Sequence, residues 1–357
     1  MLRGGHKLIF VTLSDLLFRA RQFLIALIGV ALVMAMALLL TGLANGFRTE
    51  VTSTVDGVGA NHWVMTTSSK GGLTAFAAFP QSIAGVVAHQ AGVAESAPFL
   101  LVPGLTAVVG GNTLSYNVAG VLPGHLGDPS VAAGDGHGLA GADQAVADVR
   151  AKAPVGSVVH LGNQNFTVVG TVSGRTLIGG EPVIYVELPE AQTIALGGRL
   201  LITAVVTKGI PHVVPTGLSV FSSSTVIVAT ENKVQAVIAS INNSTFLMWI
   251  VAAIIVAALL YVAALERKRD FAILKALGSS SADLFGSLVI EAVVVTLVAA
   301  ACAVVLSHFM TFIFSQPLSI PTSAYVELPL IAIVVGLVAS FVALRSATSA
   351  DPAAAFS

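Results

Sequence analysis

A single cysteine, Cys302, rules out any disulfide within the chain. Charge is scarce as well: Asp, Glu, Lys and Arg make up only 10% of the residues, and the formal net charge is −1. That net charge does not itself speak for or against a nucleic-acid partner, and none is expected. The patterns that carry common catalysis are missing: no HExxH, no GxSxG, no cysteine pair and no GxxxxGK[ST] loop for nucleotide phosphates. The eight histidines stand at spacings that suit no metal site. No catalytic residue, metal ligand or bound cofactor is therefore assigned, and the chain is not expected to be an enzyme. Any energy source has to come from another chain.

Apolar sequence is abundant: 55% of residues, with a mean hydropathy of +0.90, which is too much for an ordinary water-soluble protein. Four long apolar runs cover residues 23–43, 246–265, 284–306 and 328–344. A helix rises about 1.5 Å per residue and the hydrocarbon layer is about 30 Å thick, so each run is long enough to cross it. A backbone in lipid must satisfy its own hydrogen bonds, which makes each run a predicted membrane-spanning helix. Arg19 and Arg21 precede the first run as in a signal peptide. The run is longer than a signal peptide's apolar core, however, and residues 43–46 lack a clean cleavage pattern, so an uncleaved helix is expected.

Basic residues gather in short cytoplasmic segments, and this bias orients the chain. Nine of its 17 Lys and Arg lie before the first run (Arg3, Lys7, Arg19, Arg21), between the second and third (Arg267, Lys268, Arg269, Lys275) or after the fourth (Arg345). Residues 308–327 contain none. Both termini and the middle loop are therefore predicted to be cytoplasmic, and the large insert extracytoplasmic. Before the first run, Leu13, Leu16, Leu17 and Ala20 form a helical stripe, so residues 1–22 read either as an amphipathic helix on the inner surface or as an early start of the first span.

The insert, residues 44–245, alternates Val-, Ile- and Thr-rich stretches with Gly, Pro and Ser. Strands are predicted over 112–121, 155–161, 166–173, 183–188 and 199–207, and short helices over 81–90 and 189–196. Residues 134–141 read as a loop or a boundary between two lobes. His62 beside Trp63 reads as strand and interface packing. From Glu231 the stripe Val234, Val237, Ile238 and Ile241 predicts a helical stalk over 231–245 with Thr230 as N-cap. That stalk either transmits force from the membrane or simply closes the domain. The fold class is thus an α-helical membrane protein with one span, a mixed α+β, β-rich extracytoplasmic domain, and three further spans.

Glu291 is the ionisable residue inside the third run. A buried carboxylate is costly, but it has no second buried charge nearby, so contact with other helices or reach toward the interface is expected rather than a proton relay. The segment 266–283 carries the sharpest signal. It opens with the charged residues Glu266, Arg267, Lys268, Arg269 and Asp270, continues with Phe271, Leu274 and Leu277 at spacings of three, and reaches Gly278 where a helix would end. Ser280 and Asp283 then form a capping box for the next helix. A short helix with an apolar edge and basic ends suits the groove of a cytoplasmic partner.

This segment resembles the E-R-x-R-E-I-G-x-L-R-A-L-G pattern of the FtsX/MacB/LolC family of ABC transporter permeases. Glu266, Arg267, Arg269, Leu274, Ala276, Leu277 and Gly278 match it, Lys275 stands for Arg, and Asp270-Phe271-Ala272 replaces E-I-G. In the tail, residues 345–357, Asp351 and Pro352 resemble the family's D-P-x-E-A-L, with Ala354 where Glu is usual. Residues 166–196 are similar to the strand, strand and helix of the MacB-type domain. The resemblance implies a permease subunit paired with a second permease copy and driven by a separate cytoplasmic ABC ATPase that binds ATP and Mg. The coupling residues it implies are Glu266, Arg267, Arg269, Phe271, Leu274, Lys275, Leu277 and Gly278. Force would reach the extracytoplasmic domain through the membrane. The alternatives are an FtsX-like regulator of cell-wall hydrolases, with an extracytoplasmic protein partner, and a membrane sensor or receptor.

Overall fold

Helices longer than the apolar runs organise the molecule. The computed structural model describes residues 20–109, 112–129, 136–177, 179–266, 281–311 and 318–348. In chain order its elements are α1 (Ala20–Asp56), β1 (His62–Thr66), β2 (Phe79–Pro80), α2 (Ser82–Ala88), β3 (Val93–Val109), β4 (Asn112–Val121), β5 (Gln144–Asp148), β6 (Val158–Leu161), β7 (Gln164–Val172), β8 (Thr176–Leu177), β9 (Glu181–Glu187), α3 (Leu188–Leu196), β10 (Leu201–Ile202), β11 (Ala204–Gly209), β12 (Leu218–Ser222), α4 (Ser223–Glu266), α5 (Ser281–Met310) and α6 (Thr322–Thr348). One unit is formed by residues up to 45 and from 239 onward, the other by Gly46–Ile238. α1, with 37 residues, and α4, with 44, each belong to both and are unbroken.

In the helical unit, α1, α4, α5 and α6 share a core of small and branched side chains. Val30, Met34 and Leu38 meet Ala252, Val256 and Leu260, with Ala292, Ala299, Ala332 and Ala339 filling the narrow gaps. The opposite faces expose Leu24, Ile28 and Leu32 on α1, Phe246, Ile250 and Ile254 on α4, and Leu330, Val334 and Val338 on α6. Such apolar stripes at helical spacing would be costly in water and are suited to lipid. All four helices are long and apolar enough to cross a membrane. The buried hydroxyls turn inward: Thr296 donates to the Ala292 carbonyl at 2.9 Å and Ser340 to that of Leu337 at 2.8 Å.

The sheet unit has strand order β12-β1-β11-β3-β4-β9-β5-β7-β6, with β8 paired to β9. β6 also pairs with β3, so six strands close on themselves. Side chains alternate between two buried layers. One layer holds Trp63, Phe99, Leu101, Val121, Val146 and Tyr185, and is covered by Val51 and Val55 of α1 and Val226 of α4. The other holds Val64, Leu100, Tyr116, Phe166 and Ile184, and is covered by Val87 of α2 and by Leu188 and Ala191 of α3. α3 follows sequence rules closely: Pro189 stands in its first turn, and Gly197, with φ 63°, caps its end by donating to the Gln192 carbonyl.

β3 departs from the sequence-based expectation. It runs 17 residues through Pro98, Pro103 and Gly104, all of which read as breakers. The register shifts between Val102 and Leu105, and Gly104 adopts φ 71° there. This bulge inserts one extra residue, so Leu100 and Val102 before it face the same layer as Leu105 and Ala107 after it. β5 and β12 were likewise not assigned as strands from the sequence, whereas His62 and Trp63, read as strand packing, open β1. Of the predicted amphipathic segment 1–22, residues 1–19 lie outside the described residues and 20–22 open α1.

Candidate functional site at the helix ends of the sheet unit

α1 ends against the segment that links β7 to β9. Thr54 donates to the Thr176 carbonyl at 2.8 Å, and the Gly179 amide donates to Glu50 Oε2 at 3.3 Å. The Arg175 guanidinium donates through Nη1 to the Ser53 carbonyl. Carbonyls in the last turn of a helix carry partial negative charge, and a cation placed there contributes about 0.3–1 kcal/mol, more when partly buried. Glu50 is buried on the same stretch of helix, and its Oε1 has no hydrogen-bond partner among the described residues.

Asp148 anchors that segment from β5. Its Oδ2 accepts from the Arg175 amide at 2.7 Å and its Oδ1 from the Arg150 amide at 2.9 Å, which also caps the 3-10 turn that follows. Burial pushes the Asp148 carboxyl above its ordinary value, opposed by these two amides and by the charges of Arg150 and Arg175. Val183 completes the link by donating to the Arg175 carbonyl at 2.9 Å. The end of α1 is thus tied through one arginine to β5 and β9.

α4 begins where β12 stops. The Thr225 amide donates to Ser222 Oγ at 3.2 Å, which makes Ser222 the N-cap. Ser223 donates through its amide to the Asn61 carbonyl at 3.0 Å and through its hydroxyl to that of Ala60 at 2.7 Å, while Trp63 Nε1 donates to Ser223 Oγ at 3.1 Å. Trp63 is fully buried and packs edge-on against Phe99 with ring centroids 5.6 Å apart. The sequence placed the N-cap at Thr230 and the stalk at 231–245. Thr230 instead lies inside the helix, donating to the Val226 carbonyl at 2.7 Å and accepting from the Leu73 amide at 3.0 Å. Residues 222–225, to which the sequence analysis gave no element, supply the cap and first turn of α4.

Of the residues singled out from sequence, Glu266 is exposed at the end of α4 and Glu291 is buried on α5. Arg267, Arg269, Phe271, Leu274, Lys275, Leu277 and Gly278 lie outside the described residues, as do Asp351, Pro352 and the Ser280 capping position. The structure brings together another set, Glu50, Asp148 and Arg175 around one helix end and Ser223 and Thr230 at the other. Apart from Thr230, which the sequence singled out in a different role, these were missed because they are single residues with no shared spacing. The Gly179-Gly180 pair was the one local signal.

Residues 23–244 match the family described as MacB-like periplasmic core domain, and residues 244–352 the FtsX-like permease C-terminal family. The chain belongs to the FtsX/MacB family of ABC transporter permeases. It is 33% identical to an uncharacterized ABC transporter permease of Mycobacterium tuberculosis over 98% of this chain and 99% of the relative. A permease so described in Mycobacterium bovis is 32% identical over the same shares. Among solved structures, the periplasmic region of MacB from Actinobacillus actinomycetemcomitans is 18% identical with a TM-score of 0.35, covering 51% of this chain and 98% of that one. The chain is therefore a membrane-embedded permease, a transporter component rather than an enzyme.

Proposed function

We propose that this permease converts ATP hydrolysis by a separate cytoplasmic ATPase into movement of its extracytoplasmic sheet unit, exporting, extracting or displacing a substrate there. The observation that carries this reading is the pair α1 and α4. Each is an unbroken helix whose outer end is bonded into the sheet unit, and Val51, Val55 and Val226 of the two belong to one buried layer. A continuous helix with a fastened end transmits displacement that a flexible linker would absorb.

In this reading, residues 44–245 lie outside the plasma (inner) membrane, residues 266–283 form the coupling loop, and both termini are cytoplasmic. ATP and Mg bind the partner ATPase, which docks on the Phe271–Leu274–Leu277 edge beside Glu266, Arg267, Arg269, Lys275 and Gly278. A second permease copy completes the assembly in the bilayer, and Asp351 and Pro352 lie on the cytoplasmic side. Coupling requires that nucleotide state and outer geometry bias the same two-state element.

The test is coexpression and copurification with any ABC ATPase that a neighbouring reading frame encodes. Phe271→Glu with Leu274→Glu is expected to abolish the complex and the stimulation of ATPase activity, and an intact complex would remove the reading. Lys275→Cys, in a Cys302→Ala background, is expected to resist an impermeant thiol reagent applied to intact cells. Labelling from outside would place the loop on the wrong side.

A further inference from the structure

Two of the three residues before α6, Ser319 and Ile320, are held against α1. The Ser319 amide donates to the Gly42 carbonyl at 3.0 Å, and Asn45 Nδ2 donates to the Ser319 carbonyl at 2.9 Å while lying 3.3 Å from its hydroxyl. Both backbone polar groups of Ser319 are thus committed to one face of α1, three residues apart. Ile320 lies on Gly42 so closely that a Cβ there would stand 2.6 Å from its Cγ1. Its side chain also packs against the core of the helical unit. Pro321 then accepts from the Ala324 amide at 3.0 Å as α6 begins.

This arrangement does not come apart easily. Ser319 is half-buried, and releasing it would break its bond to the Gly42 carbonyl and the Asn45 contact together, for which water compensates only in part. Withdrawing Ile320, which is half-buried, would uncover Gly42 and part of the helical core. The contact is made by backbone, by one amide side chain and by the absence of a side chain at residue 42, so it is specified by Gly42 and Asn45 rather than by general greasiness.

We propose that Gly42, Asn45, Ser319 and Ile320 form a permanent clasp that makes the start of α6 and the outer part of α1 one moving body, with Asn45 as its positioning residue. Displacement of α5 and α6 is then handed to α1, which carries it onward. This inference rests on the coupling reading above for its role in the cycle, though not for the existence of the clasp.

The test uses the full chain in lipid nanodiscs, alone and with its ATPase. The Ser319 amide is expected to stay protected from hydrogen exchange in the free chain and in the nucleotide-free and ATP-bound complexes, and exchange at the rate of an open loop in any of them overturns the clasp. In a Cys302→Ala background, Asn45→Cys and Ser319→Cys joined by the shortest bifunctional thiosulfonate are expected to retain ATPase stimulation. Its loss would mean that the two segments must separate, and would overturn the proposal. Gly42→Leu, which drives Ile320 away, is expected to leave ATP hydrolysis running while the ATP-dependent change in spin-label distances on the sheet unit is lost; an unchanged response overturns the role. Failure of any ATPase to bind would count against the coupling reading instead, and the Ser319 exchange in the free chain would still judge the clasp.

Discussion

The guanidinium of Arg175 occupies the space that a side chain at Gly57 would need. A Cβ on Gly57 would stand 1.9 Å from the Arg175 Cζ. Glycine at the end of α1 is therefore demanded by a neighbour from a distant part of the chain, and the same arginine bonds the Ser53 carbonyl one turn earlier.

Gly57→Ala is expected to destabilise the sheet unit by about 1–3 kcal/mol, the usual range for overpacking. Unfolding of the purified chain in a Trp249→Phe background, followed through Trp63 fluorescence, measures it. Arg175→Ala should cost stability alone but weaken the effect of Gly57→Ala when combined, since residues in contact do not add. Additive losses would show that the two do not compete for space.

Thr230→Val keeps the shape of the side chain and removes the acceptor for the Leu73 amide. A buried donor left without a partner costs about 1–3 kcal/mol. Faster hydrogen exchange at Leu73 and a lower unfolding midpoint are the expected readings, with Thr230→Ser close to the parent chain. Equal behaviour of the Val and Ser variants would contradict the bond.

Tyr116 is fully buried, its hydroxyl has no hydrogen-bond partner among the described residues, and burial pushes its ionisation up to about 12. Above pH 10 the unfolded chain releases this proton while the folded chain holds it, so stability falls between pH 10 and 12. Below pH 10 the contribution is constant. Tyr116→Phe is expected to match or exceed the parent in stability at pH 8, by up to about 1 kcal/mol, because no hydrogen bond is lost. It should also soften the alkaline loss, with part remaining through Tyr185, which burial also raises. A steeper alkaline loss in the variant would refute this.

Gly336 of α6 lies against α5: a Cβ there would lie 2.9 Å from Thr296 Oγ1 and 3.2 Å from the Ala292 carbonyl. Gly336→Leu is expected to push the helices apart and lower the melting point of the chain in detergent. Gly336→Ala needs a shift of only tenths of an ångström and should cost about 1 kcal/mol at the low end of overpacking. Equal melting of both variants would mean that the crossing is not tight there.

The helical part of the fold was legible because length and uniform apolarity decide it, as in residues 23–43, too long for a signal peptide's apolar core, and 284–306. β4, β7, β9 and α3 were legible for a similar local reason, a branched or capped segment bounded by turn residues. β3 was not, because Pro98 and the Pro103-Gly104 pair are breakers in isolation, and only pairing to β11 and β4 shows that a bulge absorbs them. β5 was hidden by Ala145 and Ala147, which gain strand character from burial between β7 and β9. The junction at Arg175 was illegible for a different reason. Ser53, Gly57, Asp148 and Arg175 meet only after the chain folds, so no window of sequence contains them together.

The sheet unit takes part of its own interior from α1 and α4, through Val51, Val55 and Val226. A fragment cut at the predicted membrane boundaries would keep those valines, whereas one trimmed back to the strands would expose a stripe of its interior at the wound. The domain and its tethers are therefore a single inheritance: sequence drift in the last turns of the first crossing helix has to be matched inside the sheet, and swapping this head onto another permease would succeed only if both helical necks travel with it.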